Sequence, residues 1–202
     1  MGRIAGVILA GGASARMGGG DKCLRPLAGR PILGHVIERM RPQVDALALN
    51  ANGDPARFAA FGLPVLPDPL PGLGPLGGVL AGLYWARDLD CIHLMTAAGD
   101  TPFFPRDTVT RLCERAGSGA IVQSSSERRT HPTFALWPVR LLDDLDSFLR
   151  ERGAASMHAY AGERHRTALV DFAAETGLDP FFNINTMEDL AFAERIAEEM
   201  RK

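Results

Sequence analysis

At 202 residues, with 46% hydrophobic and 23% charged side chains, the chain has the composition of a soluble globular protein and enough material for a sizeable core. Its formal net charge of −2 excludes the strongly basic surface that general nucleic-acid binding needs. Cys23, Cys91 and Cys113 are odd in number and far apart, which fits a reducing compartment and neither a disulfide framework nor a zinc site.

Residues 4–10 are apolar throughout and read as a short buried strand. Arg3, this run and Ala13-Ser14-Ala15 together mimic a secretory leader with its cleavage site. The run is at the short limit, and cleavage would delete half of the glycine loop that follows. No other stretch reaches the roughly 20 apolar residues of a membrane span. Gly6 stands where N-myristoylation needs Ser or Thr, so that modification is not indicated. A cytoplasmic protein without a membrane partner is expected.

The strand runs into Leu9-Ala-Gly-Gly-Ala-Ser-Ala-Arg-Met-Gly-Gly-Gly-Asp-Lys22. Gly11, Gly12, Gly18, Gly19 and Gly20 let such a backbone curl tightly and turn its N–H groups inward, which makes a concavity for anions. Arg16 and Lys22 add a planar fork and a mobile point charge to the same loop. Walker A chemistry is excluded because Lys22 precedes Cys23, leaving no hydroxyl for a metal, and the spacing also fails the dinucleotide fingerprint. A glycine linker remains the bland alternative, but linkers do not carry Arg, Met, Asp and Lys at set places after a strand. The expected ligand is a nucleotide polyphosphate.

A helix is predicted from Pro31, with Ile32, Leu33, Val36, Ile37 and Met40 on one face and Pro42 closing it. A second strand over residues 45–51 ends near Asn50, and a third over 63–66 ends near Asp68. Strand, helix, strand in this order predicts a parallel sheet. A Pro/Gly-rich loop leads through Pro75 into a helix over about 76–87, which Gly77, Gly78 and Gly82 weaken by about 1 kcal/mol each relative to alanine. They point to a ligand or to tight helix–sheet packing. Residues 91–98 form the fourth strand, apolar as at the centre of a parallel sheet, and deliver Asp100 to its carboxyl end. Asp100 is either a magnesium ligand, since that cation needs only one or two protein carboxylates, or a turn residue before Pro105.

Beyond the centre, residues 105–115 read as a helix, 120–123 as a strand, and 123–131 as an exposed polar loop with Arg128 and Arg129. A strand over 131–137 contains His131, which as a lone histidine has little weight as a catalyst. Helices are expected over 139–150 and 156–161, and a strand over 168–172. Arg164-His165-Arg166 and Arg128-Arg129 are either solvated charge or a phosphate-binding surface. Residues 181–186 are extended, with Asn183 and Asn185 on one face, and Thr186 with Asp189 begins a helix as a capping-box variant. The paired asparagines either satisfy turns or meet a ligand.

The run Leu-Ala-Gly-Gly-x-Ser-x-Arg-Met-Gly-Gly-x-Asp-Lys resembles the signature of the molybdenum cofactor guanylyltransferases. Gly99-Asp100-Thr101-Pro102-Phe103 and Asn183-Ile-Asn-Thr-Met-Glu-Asp-Leu190 resemble two further segments of that family, with Met187 where relatives often carry Pro. The resemblance implies an α/β, Rossmann-like fold with a mostly parallel central sheet and helices on both faces, of the nucleotidyltransferase type. It implies a single domain over 1–202, with about 125–180 as a lobe covering the second substrate. It also implies transfer of GMP from GTP to the terminal phosphate of molybdopterin, with Mg2+ as cofactor.

By the same resemblance Leu9, Ala10, Gly11, Gly12, Lys22, Asn50, Asp68 and Asp100 bind the nucleotide, the first three contacting the base through main chain. Arg16, Lys22 and Asp100 act in catalysis, with Asp100 as the metal ligand, and Asn183 and Asn185 lie toward the second substrate. Cofactor-accepting molybdoenzymes or their chaperones are the implied protein partners. Alternatives from the residues are cytidylyl transfer, a sugar or alcohol phosphate acceptor, or a non-catalytic carrier of the cofactor.

Overall fold

An apolar run without alternation belongs in a strand covered on both faces. Ile4–Leu9 forms that strand (β1), with Ala5 and Val7 packed into one core and Ile8 into the other. The computed structural model describes residues 2–11, 20–174 and 178–200. Arg16 and Gly12 lie outside the described residues.

After the glycine loop, Pro26–Leu27 (β2) and Arg30–Pro31 (β3) pair as a small hairpin that the sequence did not announce. Pro31 is the N-cap of Ile32–Met40 (α1), one position before its predicted place. There follow Ala46–Asn50 (β4), Val65–Leu66 (β5), Pro75–Asp88 (α2), His93–Ala98 (β6) and Thr108–Arg115 (α3). The remaining elements are Ile121–Ser126 (β7), Arg129–Pro138 (β8), Leu142–Arg152 (α4), Met157–Arg164 (α5), Thr167–Asp171 (β9) and Met187–Glu199 (α6).

Seven strands form one sheet in the order β5-β4-β1-β6-β8-β7-β9, and β8 alone runs against the other six. Helices α2, α4 and α5 cover one face, around Leu80, Trp137 and Tyr160; α1 and α3 cover the other, around Val36, Met95 and Leu112. A third small core joins α6 to β2 and α1 through Leu27, Ile32, Ile184 and Ala193. The mostly parallel sheet and its two helical layers match the expected fold class. Residues of the 125–180 segment supply β8, β9, α4 and α5, so this segment shares the sheet with the nucleotide-side strands.

One expectation is corrected. Residues 123–131 are not an exposed loop: β7 runs to Ser126, and a two-residue turn at Glu127 and Arg128 (φ 47° and 65°) returns the chain as β8. Both turn residues have the positive φ of a primed hairpin turn. Ser124 and Ser126 are fully buried, as only a paired strand allows. The serine run lacks an apolar period and Glu-Arg is not a usual hairpin pair, so neither signal appears in the sequence.

Candidate active site

Four strands end at one level. Leu9 stands opposite Asn50 on β4 and opposite Ala98 on β6, and Leu66 on β5 stands opposite Asn50. Ligands in open α/β sheets bind at this carboxyl edge, where the flanking strands diverge. Here it opens into a cavity of about 840 Å3, within the range of small-molecule sites. Its described lining includes Leu9, Gly11, Asn50, Asp68, Asp100 and Asn183.

Asn50 is almost fully buried, and its Nδ2 donates to the Leu66 carbonyl at 3.0 Å and to Asp68 Oδ1 at 2.8 Å. Asn52 completes the arrangement from the next turn: its Nδ2 donates to Asp68 Oδ2 and its Oδ1 accepts from the Asp68 N–H. The Asp68 carboxylate is therefore held rigidly at the cavity wall. The glycines of α2 allow this. A Cβ on Gly77 would lie 2.9 Å from the Asp68 carboxyl, and one on Gly78 would lie 2.2 Å from Asn50 Oδ1. The tight-packing reading of these glycines is borne out, and at Gly77 and Gly78 the helix packs against Asp68 and Asn50 at the cavity wall.

On the other side of the cavity, Lys22 makes a direct ion pair with Asp100 and donates to Asn185 Oδ1 at 2.7 Å. Thr101 donates its hydroxyl toward Asp100 Oδ1 and Asn183 Oδ1, and the Ile184 N–H donates to the Asp100 carbonyl. The Asn-Ile-Asn segment is a strap along the Asp100 turn. Ile184 is fully buried beneath it, while the two asparagines face the cluster. The helix that follows is locked by the expected capping box of Thr186 and Asp189. Thus Lys22, Asp100, Asn183 and Asn185, separated by up to 163 positions, come together.

Ala10 is placed differently. It is buried, its N–H donates to the Asn50 carbonyl, and its own carbonyl accepts the Cys23 thiol at 3.6 Å. The Leu9 carbonyl is likewise taken by the Gly99 N–H, whereas Gly11 is exposed and lines the cavity. Sequence reasoning missed Asn52, Arg57 and Thr101, because a lone amide, a surface-type arginine and a threonine in a turn carry no distinctive spacing.

Cys23 sits beside the loop with its pKa pushed up to about 12, chiefly by burial and then by the Asp21 and Asp100 carboxylates. Thiolate is the reactive form, so this cysteine is inert. Iodoacetamide at pH 8 is expected to leave Cys23 unmodified in the folded protein and to alkylate it in denaturant, as read by peptide mass. The sign follows for stability: the folded state holds the proton while the unfolded thiol loses it from about pH 9, so this contribution declines between about pH 9 and 12.

Near the strap, Ser126 Oγ lies 2.7 Å from His131 Nε2 and donates to Asp179 Oδ1 at 2.6 Å. A nucleophilic triad would send the serine proton to the histidine. Here the carboxylate takes it, and burial holds the His131 pKa below the usual imidazole range. His131 instead stacks on Phe181 at 4.6 Å, anchoring the start of the strap.

Comparison with known proteins gives the family and the fold. The MobA-like NTP transferase domain matches residues 6–168. A molybdenum cofactor guanylyltransferase of Mesorhizobium japonicum is 50% identical, over 98% of this chain and 97% of its own. The chain belongs to the molybdenum cofactor guanylyltransferase family. A second relative of that name, from Rhodopseudomonas palustris, is 51% identical over 95% of this chain and 92% of its own. At the level of fold, the molybdopterin-guanine dinucleotide biosynthesis protein A of Archaeoglobus fulgidus superposes with a TM-score of 0.75. That match covers 96% of this chain and 99% of the other at 22% identity. In this guanylyltransferase family member, no helix among the described residues is long and apolar enough to cross a membrane.

Proposed function

We propose that the protein transfers GMP from GTP to the terminal phosphate of molybdopterin, forming molybdopterin guanine dinucleotide and pyrophosphate. The observation that carries this reading is the meeting of Lys22, Asp100 and the asparagine strap at one end of a cavity whose other end holds Asn50 and Asp68. A nucleotide spanning the cavity has its base and ribose toward Asn50 and Asp68 and its phosphates toward Gly11, Gly20 and Lys22; Arg16 acts on the same phosphates by resemblance. Residues 125–180 and the strap border the side on which the second substrate approaches, with Asn183 and Asn185 nearest to it.

The donor set suits magnesium. Among the described residues no three His, Cys, Asp or Glu side chains gather as a metal group, which disfavours a zinc-like site. Asp100 offers a single carboxylate with the Asn183 amide oxygen close by, and it already carries one cation in Lys22. Hard magnesium takes one or two carboxylates and completes its shell with water and substrate phosphates. Asp100 would hold it, and when bound it neutralises charge developing on the phosphates.

The attacking group is a phosphate monoester, ionised near neutral pH, so no general base is needed. Its oxygen forms a bond to the α-phosphorus of GTP while the bond from that phosphorus to the β-phosphate oxygen breaks. Two anions must meet, and the protein's task is positioning and charge neutralisation. Lys22 moves from Asp100 to the triphosphate; Asn185, its second partner, keeps the ammonium within the site. The three unpaired cysteines suit a reducing cytoplasm, and molybdoenzymes or their chaperones are the proposed recipients of the product.

Guanine preference rests on Gly11. Among the described residues a Cβ at this position meets no atom within 4 Å, and Gly11 lines the cavity, so glycine leaves room for a purine. Calorimetry with magnesium is expected to show GTP binding at least about tenfold more tightly than CTP, about 1.4 kcal/mol. Equal or reversed affinities would remove the guanylyl assignment.

A further inference from the structure

A cavity for a polyanion should not be rich in carboxylates, yet the charged residues among its described lining are Asp21, Asp68, Asp100 and a single cation, Arg57. Two of these carboxylates are already accounted for: Asp100 is paired with Lys22, and Asp68 is held by Asn50 and Asn52. Asp21, at the exit of the glycine loop, is left to Arg57.

The Arg57 guanidinium meets the protein through an ion pair at Nε, which has no hydrogen-bond acceptor among the described residues, and through hydrogen bonds from Nη1 and Nη2. Nε lies 2.7 Å from Asp21 Oδ2, Nη1 donates to the Asp54 carbonyl at 2.8 Å, and Nη2 donates to the Asn52 carbonyl at 2.6 Å. Its Cζ lies 4.7 Å from the centroid of the buried Phe58 ring, and a Pro-initiated helical turn over Pro55–Phe61 carries it. Side chains of both partners of the ion pair are about three-quarters buried. A planar fork suits this task where a lysine would supply one point charge.

The contacts run continuously from Asp21 through Arg57 to Asn52, and from Asn52 to Asp68 and Asn50. We propose that Arg57 is a positioning residue for the nucleotide: it cancels the Asp21 charge at the mouth of the phosphate loop and ties that loop to the Asn52–Asp68 wall at a set spacing. It acts through its ion pair with Asp21 and its hydrogen bonds to the Asn52 and Asp54 carbonyls. The proposal rests on the nucleotide-binding reading of the cavity, and it predicts that losing Arg57 is harmful chiefly because Asp21 is left uncompensated beside the phosphates.

The test is a double-mutant cycle with GTP and magnesium as the calorimetric probe. Arg57→Met, which keeps the apolar stem over Phe58, is expected to weaken GTP binding and raise its KM about tenfold, with kcat for GMP transfer changed less than about twofold. Adding Asp21→Asn in that background is expected to bring the dissociation constant back to within about threefold of wild type, because the uncompensated charge is gone. Arg57→Lys is expected to fall between, keeping the charge and losing the fork.

A purely structural arginine would lower the melting temperature and kcat and would gain nothing from the second substitution. Unchanged GTP affinity in Arg57→Met, or no recovery in the double variant, overturns the proposal while the nucleotide reading stands. Failure of the wild-type protein to bind GTP removes both.

Discussion

Asp100→Asn is expected to lower GMP transfer by about three orders of magnitude, measured as pyrophosphate release with magnesium, GTP and molybdopterin. The substitution is nearly isosteric. An amide oxygen can still accept from Thr101, and the bond from the Ile184 N–H is made to the Asp100 main chain, so the strap keeps its place. What disappears is the negative charge. Lys22 loses its ion-pair partner, and the only carboxylate at that end of the cavity that the proposed magnesium site contains is gone. Removing one member of a mostly buried pair costs up to about 3 kcal/mol. The open cavity lets water reach the freed ammonium, so a smaller loss, about 1–2 kcal/mol, is expected in thermal melts. Full pyrophosphate release by this variant would remove Asp100 from catalysis.

The second large effect is expected at a residue with no side chain. Gly78→Ala improves helix propensity by about 1 kcal/mol, and in an open helix that gain would stand. At this place the new methyl would lie 2.2 Å from Asn50 Oδ1 and 2.6 Å from Leu9 Cδ2. Asn50 cannot swing aside without breaking its bonds to Leu66 and Asp68. Overpacking of a tight interior costs about 1–3 kcal/mol, so the clash outweighs the propensity gain.

Net destabilisation of up to about 2 kcal/mol corresponds to a melting point lower by up to about 8 °C in a chain of this size. GTP affinity is expected to fall at least about tenfold, because Asn50 and Asp68 are displaced together. Gly34→Ala is the control: it lies within α1, a Cβ there meets nothing within 4 Å, and it should stabilise by about 0.5–1 kcal/mol. A Gly78→Ala protein that is more stable and binds GTP normally would show that the close approach has no role.

The legibility of the chain varies with the physics of each segment. Strands β1 and β6 are central and covered on both faces, so their apolar runs announce them. The capping box at Thr186 is local chemistry and was read correctly from residues three apart. The short edge strand β5 shrank from its predicted 63–66 to Val65–Leu66, since edge pairing demands little of side-chain pattern. Helix α3 begins at Thr108, not 105, because the segment before it turns to supply the Pro105 carbonyl to the Thr108 hydroxyl and Gln43. The β7–β8 hairpin escaped notice because its serines are buried by pairing and not by hydrophobicity.

Within the site, Lys22 was nameable from the glycine loop and Asp100 from its place after a strand, while site roles for Asn50, Asp68 and the two asparagines came through the resemblance. Their partners were not nameable. That Lys22 rests on Asp100 and Asn185, or that Arg57 compensates Asp21, depends on loops from distant parts of the chain meeting above one sheet edge. No period or spacing encodes such meetings.

The amino-acid sequence by itself determined the layered α/β architecture, the glycine loop after the first strand and the family, because strand burial, helix caps and long motifs are written in neighbouring residues. Only the tertiary structure decided which charges cancel one another, why α2 must carry Gly77 and Gly78, and that the Asn183–Asn185 strap lies on Asp100. Those facts are distances between groups far apart along the chain, and distances exist only once the sheet has brought its strand ends to one edge.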